Sequence, residues 1–294
     1  MKAWKFTELD DQIRWAQVAE RLGCSRLEYG SALLGAHAPF EINPLIRKLD
    51  SIFTLSDEER GAVASLPMQA VNLRTDQDIV SERDRPSRCC AMLDGFTCSY
   101  KLTAEGKRQI LAFHVAGDIP DLQSLHLPVL DNSIGTITPC RVGFIKHEPL
   151  RQLCERYPRI AGALRRATLI EAAVLRERMT SIGRRNAFSR IAHLLCEIVV
   201  RMRAADLGRG RSCDFPVTQT EIGDALGITM VHVNRTLKEI REAGLATLNG
   251  GVLKVLDWDA LKEAGAFDPT YLHLDADEAA ACAPHQEPSP AVAR

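Results

Sequence analysis

Val231, Asn234, Arg235 and Lys238 recur at i, i+3, i+4 and i+7 within GITMVHVNRTLKEI, residues 227–240. On a helix that spacing gathers an amide, a guanidinium and an ammonium into one band, while Val233, Leu237 and Ile240 line the opposite face. Groups held this way offer hydrogen bonds in fixed directions together with positive charge. The complementary partner is a polyanion that also displays flat hydrogen-bonding edges. A guanidinium can pair bidentately with O6 and N7 of guanine, an amide or an imidazole such as His232 can bond bases or backbone, and Val231 can touch a thymine methyl. Thr218, Thr220, Thr229 and Lys238 suit phosphate oxygens.

Such a band works only if short elements hold it rigidly. Thr218-Gln219-Thr220-Glu221 has the form of a capping box and predicts a helix start. Ile222, Ala225 and Leu226 then face inward, and Gly227 stops the helix by taking a left-handed conformation. Thr229 caps the next helix, and small Gly223 leaves room for it to approach. Two short helices joined through a glycine turn form a helix-turn-helix. Beyond them LATLNGGVLKVLD predicts two strands around Asn249-Gly250, where a winged module carries its wing.

Charge is distributed in the same sense. The chain of 294 residues has a formal net charge of −1, yet residues 141–256 hold 20 Lys/Arg against 11 Asp/Glu. A basic region inside a neutral chain predicts that one part meets a polyanion. No apolar run is long enough to span a bilayer, and MKAWKFTELDDQIRW lacks the apolar core of a signal peptide, so a cytoplasmic protein without a membrane partner is expected. The nine cysteines are scattered and never spaced C-x-x-C, which signals neither a disulfide framework nor a metal cage. With no nucleophile–base pair, metal-ligand spacing or Gly-rich phosphate loop, an enzyme is not expected.

Earlier in the chain, residues 1–40 read as a helical extension, with Thr7 as an N-cap. From 68 to 146 the texture is strands cut by turns: MQAVNLR, CCAMLDGFTCSYKL around Asp94-Gly95, KRQILAFHV after Glu105-Gly106, VAGDIPDL and SIGTITPCRVGFIK. That pattern predicts an all-β barrel or sandwich. A long helix follows from Pro158, with apolar residues at 160, 163, 167, 170 and 174; this spacing suits a seam against a second copy, with packing on its own barrel as the alternative. Asn186 caps a further helix whose Ile191, Leu194, Leu195, Ile198 and Val199 form a wide buried face, and the loop LGRGRSCDFP ends it.

From about residue 45 to 268 the sequence resembles the CRP/FNR family, bacterial transcription regulators named after the cyclic-AMP receptor protein and the fumarate and nitrate reduction regulator. VTQTEIGDALGITMVHVNRTLKEIREAGL is similar to the family's helix-turn-helix, with Arg235 where the family places its base-reading arginine and Val231 where better-known members carry a base-contacting glutamate. IGRRNAFSRIAHLLCEIV looks like the hinge and following helix, and AMLDGFTCSYKLTAEGKRQILAFHVAGDIPDLQSL like the effector barrel. The resemblance implies an α+β chain: an N-terminal jelly-roll β-barrel, a long dimerisation helix and a C-terminal winged helix-turn-helix. The expected boundaries are 1–40, 41–150, 151–182, 183–268 and a disordered tail over 269–294.

The likeness stops short at the effector site. A cyclic-nucleotide site needs a cation for the phosphate and a carboxylate for the ribose. Where the family has Arg-Ser this chain has Asn132-Ser133, and where it has Gly-Glu-Leu the chain reads GDIPDLQSL, with Leu122 or Asp121 in the acid's place. Gly117, Asp118, Asp121, Leu122, Asn132 and Ser133 are therefore the candidate effector pocket, and cyclic AMP is not the expected ligand. The family's N-terminal iron–sulfur cysteines are absent. Cys89, Cys90, Cys98 and Cys140 could report redox state and His114, His126 and His147 could ligate haem or metal, though ordinary packing is the stronger expectation and no cofactor is predicted. The expected partners are double-stranded DNA, a second copy of the chain and RNA polymerase. A constitutive regulator whose barrel is only a scaffold is the alternative.

Overall fold

The computed structural model describes residues 43–274; the predicted N-terminal helix and residues 275–294 of the tail lie outside that range. Two short helices come first. In α1 (Pro44–Asp50) Asn43 caps the start by accepting from Leu45 N at 3.0 Å, and α2 (Asp57–Ala64) opens with a Ser56/Glu59 capping box.

The strands that follow form two open antiparallel sheets. One contains β1 (Gln69–Leu73), β7 (Cys140–Lys146) and β3 (Arg88–Asp94) in that order. The other runs β2 (Asp78–Val80), β6 (Ser133–Thr136), β4 (Thr97–Leu102) and β5 (Arg108–His114). The period-two alternation of β3 and β7 divides their side chains between two cores. Cys90, Met92, Val142 and Phe144 pack with Ile79, Val80 and Ile134, whereas Cys89, Ala91 and Ile145 meet Leu45, Leu49 and Ile160. Among the described residues no pairing joins the edges of these sheets, so the expected barrel or sandwich takes its two-sheet form. VAGDIPDL, expected as a strand, is a turn leading into a short 3-10 segment. There Gly117 takes φ +97°, and a Cβ would run into the Pro44 carbonyl oxygen.

Helices α3 (His147–Arg156) and α4 (Pro158–Arg184) lead away from the sheets. The stripe expected to meet a second copy is spent within the chain: Ile160, Ala163, Ile170 and Val174 are buried and Ala167 half-buried. Apolar spacing marks a helix face but does not say what covers it. Instead α4 exposes Leu169 at 62%, Leu175 at 38% and Met179 at 70%.

Helix α5 (Ala187–Ala204), capped by Asn186 accepting from Ser189 N at 2.9 Å, is buried nearly all round. It lies in a core shared by the sheets and the C-terminal region: Phe215 packs edge-on against Phe96 and Phe113, with ring centroids 6.5 and 5.8 Å away. The predicted loop LGRGRSCDFP contains β8 (Gly208–Arg209) and β9 (Ser212–Asp214). The C-terminal region adds α6 (Gln219–Leu226), α7 (Met230–Glu242), β10 (Ala246–Asn249), β11 (Val252–Val255) and α8 (Trp258–Ala264). Its sheet has the order β10-β11-β9-β8. Residues 269–272, assigned to the tail from sequence, form a 3-10 turn with Leu272 in the core. No helix among the described residues is long and apolar enough to cross a membrane.

Candidate nucleic-acid interface

The two helices that present the polar band are fixed by their ends. Thr218 accepts from Glu221 N at 3.2 Å while Glu221 accepts from Thr218 N at 2.7 Å, the reciprocal bonds of a capping box. Gly227 closes α6 at φ +66°, and Thr229 caps α7 by accepting from His232 N at 3.3 Å. Between the helices a Cβ on Gly223 would lie 2.5 Å from the Ile228 carbonyl oxygen, so glycine sets how closely they approach.

Below, Val233, Thr236 and Ile240 of α7 are buried and Leu237 half-buried. Thr236 therefore shares the inward stripe that Leu237 was expected to complete. Above, Val231 is 72% exposed, and the Arg235 and Lys238 side chains are 67% and 62% exposed. Their charged ends reach back to Glu239 at 3.7 Å and Glu242 at 3.6 Å. Pairs this open to water are worth little, so a polyanion can displace the carboxylates. Asn234 is exposed and its Nδ2 donates to Gln219 Oε1 at 3.0 Å; His232 is half-buried.

Thr220 and Thr229 are exposed beside this surface. The Thr218 hydroxyl already donates to Glu221 Oε2 at 2.8 Å, so its first task is capping. The wing turns on Gly250 and Gly251, both at positive φ, between the paired residues Asn249 and Val252. Its central dipeptide is therefore one residue beyond the expected Asn249-Gly250. Gln219 was missed by sequence reasoning, although its place directly after a capping residue could have pointed to it.

The effector candidates separate into two groups. Gly117, Asp118 and Leu122 line a cavity of about 80 Å³ together with Lys48, His114, Glu171 and Arg201; Asp121, Asn132 and Ser133 do not line it. Burial would raise the Asp118 carboxyl, but Lys48 Nζ at 2.9 Å and Arg201 Nη2 at 3.1 Å outweigh it and hold Asp118 well below the usual carboxylate range. Asn132 donates to the Ser133 carbonyl at 3.3 Å and accepts from Gln123 Nε2 at 3.4 Å, while Ser133 Oγ accepts from Glu82 N at 3.0 Å. These groups are spent on local structure.

Except for His126, the candidate redox and metal side chains are inside the fold. Burial pushes the thiols of Cys89 and Cys98 up to about 12 and raises those of Cys90 and Cys140. His114 Nε2 lies 2.6 Å from Ser99 Oγ and burial pushes its imidazole down to about 4; His147 Nε2 lies 3.0 Å from Ser124 Oγ, and His126 is exposed.

Asp121 carries a testable consequence. Its Oδ1 accepts from Cys90 N at 2.7 Å, its buried Oδ2 has no partner, and burial pushes the carboxyl up from 3.8 to about 7. A raised acid contributes stability that is complete below its unfolded value and is lost as pH rises through its folded value. Between pH 5 and pH 8 the wild type is therefore expected to lose more melting temperature than Asp121→Asn, read by circular dichroism. Equal losses would show that Asp121 does not hold a proton in the fold.

Two family patterns match these regions: the Crp-like helix-turn-helix domain over residues 189–264 and the cyclic nucleotide-binding domain over residues 70–157. The nitrogen fixation regulation protein FixK of Bradyrhizobium diazoefficiens is 29% identical over 185 residues, covering 62% of this chain and 76% of that protein. The fumarate and nitrate reduction regulatory protein of Escherichia coli (strain K12) is 23% identical over 214 residues, covering 72% and 84% respectively. Among solved structures, FixK2 from Bradyrhizobium japonicum has a TM-score of 0.62 at 26% identity, covering 68% of this chain and 98% of that one.

Proposed function

Because the chain belongs to the CRP/FNR family of DNA-binding transcriptional regulators, we propose that it acts as a homodimer on a two-fold symmetric operator, under a signal other than cyclic AMP sensed through its β domain. One observation carries the DNA-reading part. Helix α7 buries Val233, Thr236 and Ile240 completely while directing Val231, Asn234, Arg235 and Lys238 to solvent, so that a capped helix, an element that the major groove admits, presents a polar band.

The exposed Leu169, Leu175 and Met179 on α4 support the homodimer, since an apolar run along one helix lowers its free energy by meeting another. Two such subunits would set their α7 helices about 34 Å apart, one turn of duplex. The absence of an arginine at Asn132 and the commitment of Asp118 to Lys48 and Arg201 support a signal other than a cyclic nucleotide. RNA polymerase as a further partner and a cytoplasmic location belong to the same reading.

A second reading, a constitutive regulator with the β domain as scaffold, is favoured by the interior between the two sheets. Ile79, Met92, Ile134, Val142 and Phe144 fill it. The two readings separate on whether any small molecule raises the melting temperature.

Selection of bound fragments from a random duplex pool tests the proposal. The expected consensus is palindromic and contains guanine. Arg235→Ala is expected to weaken binding to that site by about 1–3 kcal/mol in a mobility-shift titration while leaving random DNA nearly unaffected. Equal loss on both DNAs would mean that Arg235 contacts only the backbone.

A further inference from the structure

Gln219 and Asn234 belong to different helices, yet their amides meet, with Asn234 Nδ2 donating to Gln219 Oε1 at 3.0 Å. Gln219 is the first residue of α6, directly after the cap, and Asn234 stands on the outward face of α7 beside Arg235. A carboxamide on a helix surface ordinarily turns about a broad, two-fold terminal torsion and so offers donor and acceptor indifferently. An acceptor fixed in a neighbouring helix removes that freedom. Arg235 reaches toward Glu239, and Val231 has no polar group, so neither competes for the Gln219 oxygen.

The primary amide of asparagine carries two N–H groups. When the one anti to the carbonyl is committed, the other N–H and Oδ1 remain side by side, which is the pair that matches N7 and N6 of adenine in the major groove. We propose that Gln219 is a positioning residue that fixes Asn234 as a reader of adenine, next to the guanine read by Arg235. The proposal rests on the DNA-reading function given above. Among the described residues Gln219 Nε2 has no hydrogen-bond acceptor within the chain. It is left to donate to a phosphate, which would tie backbone register to the reading of one base.

The test uses the full chain and the site recovered from a random duplex pool. Wild type is expected to prefer adenine by about tenfold at a base pair adjoining the guanine that depends on Arg235. Gln219→Ala should lose most of that preference at that position alone, with guanine preference and melting temperature unchanged. Gln219→Glu keeps an acceptor and should restore it. Gln219→Lys offers only donors, so it should turn the Asn234 amide round and move the preference to a base presenting acceptors, such as guanine or thymine.

A consensus without adenine at that place overturns the proposal. So does an adenine preference that survives in Gln219→Ala, or a uniform loss of affinity without a change of preference. Each of these leaves the DNA-reading function standing. Failure of wild type to recover any preferred sequence overturns both.

Discussion

Glu197→Ala is expected to destabilise the fold by about 3–5 kcal/mol, the cost of breaking a buried ion pair from one side. Glu197 on α5 is 1% exposed. Its Oε1 lies 3.1 Å from Arg178 Nη2 on α4 and 3.5 Å from Arg201 Nη1, and its Oε2 accepts from Tyr271 at 3.0 Å. Arg201 continues the chain of charges to Asp118 and donates to the Phe113 carbonyl at 2.8 Å. Removing this carboxylate therefore strands the Arg178 guanidinium in the interior and leaves Arg201 with Asp118 as its remaining carboxylate. Burial would raise the Glu197 carboxyl, yet Arg178 and Arg201 hold it below its usual range. Its stabilising contribution is thus present at neutral pH and lost as pH falls through its folded value. Urea unfolding at pH 7 measures the effect, and a melting temperature lowered by roughly 10 °C is expected with it. A variant as stable as wild type would mean that water reaches these arginines.

Gly223→Val should be the most damaging change within the DNA-reading module. A Cβ there stands 2.5 Å from the Ile228 oxygen, and that backbone cannot yield easily, because Ile228 N donates to Gly223 O at 3.2 Å and the Gly227 N–H donates to the same oxygen. Relief requires α7 to move off α6. Overpacking of this kind costs about 1–3 kcal/mol of stability. The larger loss is in operator preference, since bidentate base contacts depend on where α7 sits. Calorimetry and mobility shifts on operator and random DNA read the two effects. Gly162→Ala, at a helical site with nothing within 4 Å, is the control and should be neutral or slightly stabilising. If Gly223→Val kept full operator preference, the close approach of the helices would not matter to recognition.

The local devices were legible in the sequence because each is written in a few adjacent residues. Thr218 with Glu221, Gly227, Thr229 and Asn186 all cap or stop helices as their types require. The inward positions of α6 and α5 were legible from periodicity alone. What depends on distant partners was not. The stripe at 160, 163, 170 and 174 identified a buried face but not its partner: Ile160 and Ala163 pack with α1 and α2, and Val174 joins the core that contains Phe96 and Phe113. VAGDIPDL has the apolar content of a strand, yet Gly117 at positive φ and the Pro44 carbonyl beside it decide otherwise. Gln219 became a site residue only once Asn234 was seen across the helix pair.

The mixed core around Phe215 limits how a regulatory signal can operate. Phe96 and Phe113 on one side and the α5 face on the other hold that ring, while Arg108 Nε reaches Asp224 at 2.8 Å across the same boundary. Swinging the DNA-reading module on its hinge would wet at least this aromatic side chain, at about 1.5–3 kcal/mol. To reverse such a bias, an effector must bind the swung arrangement roughly ten- to more than a hundredfold more tightly than the docked one. A weakly discriminating ligand would leave the module where it is.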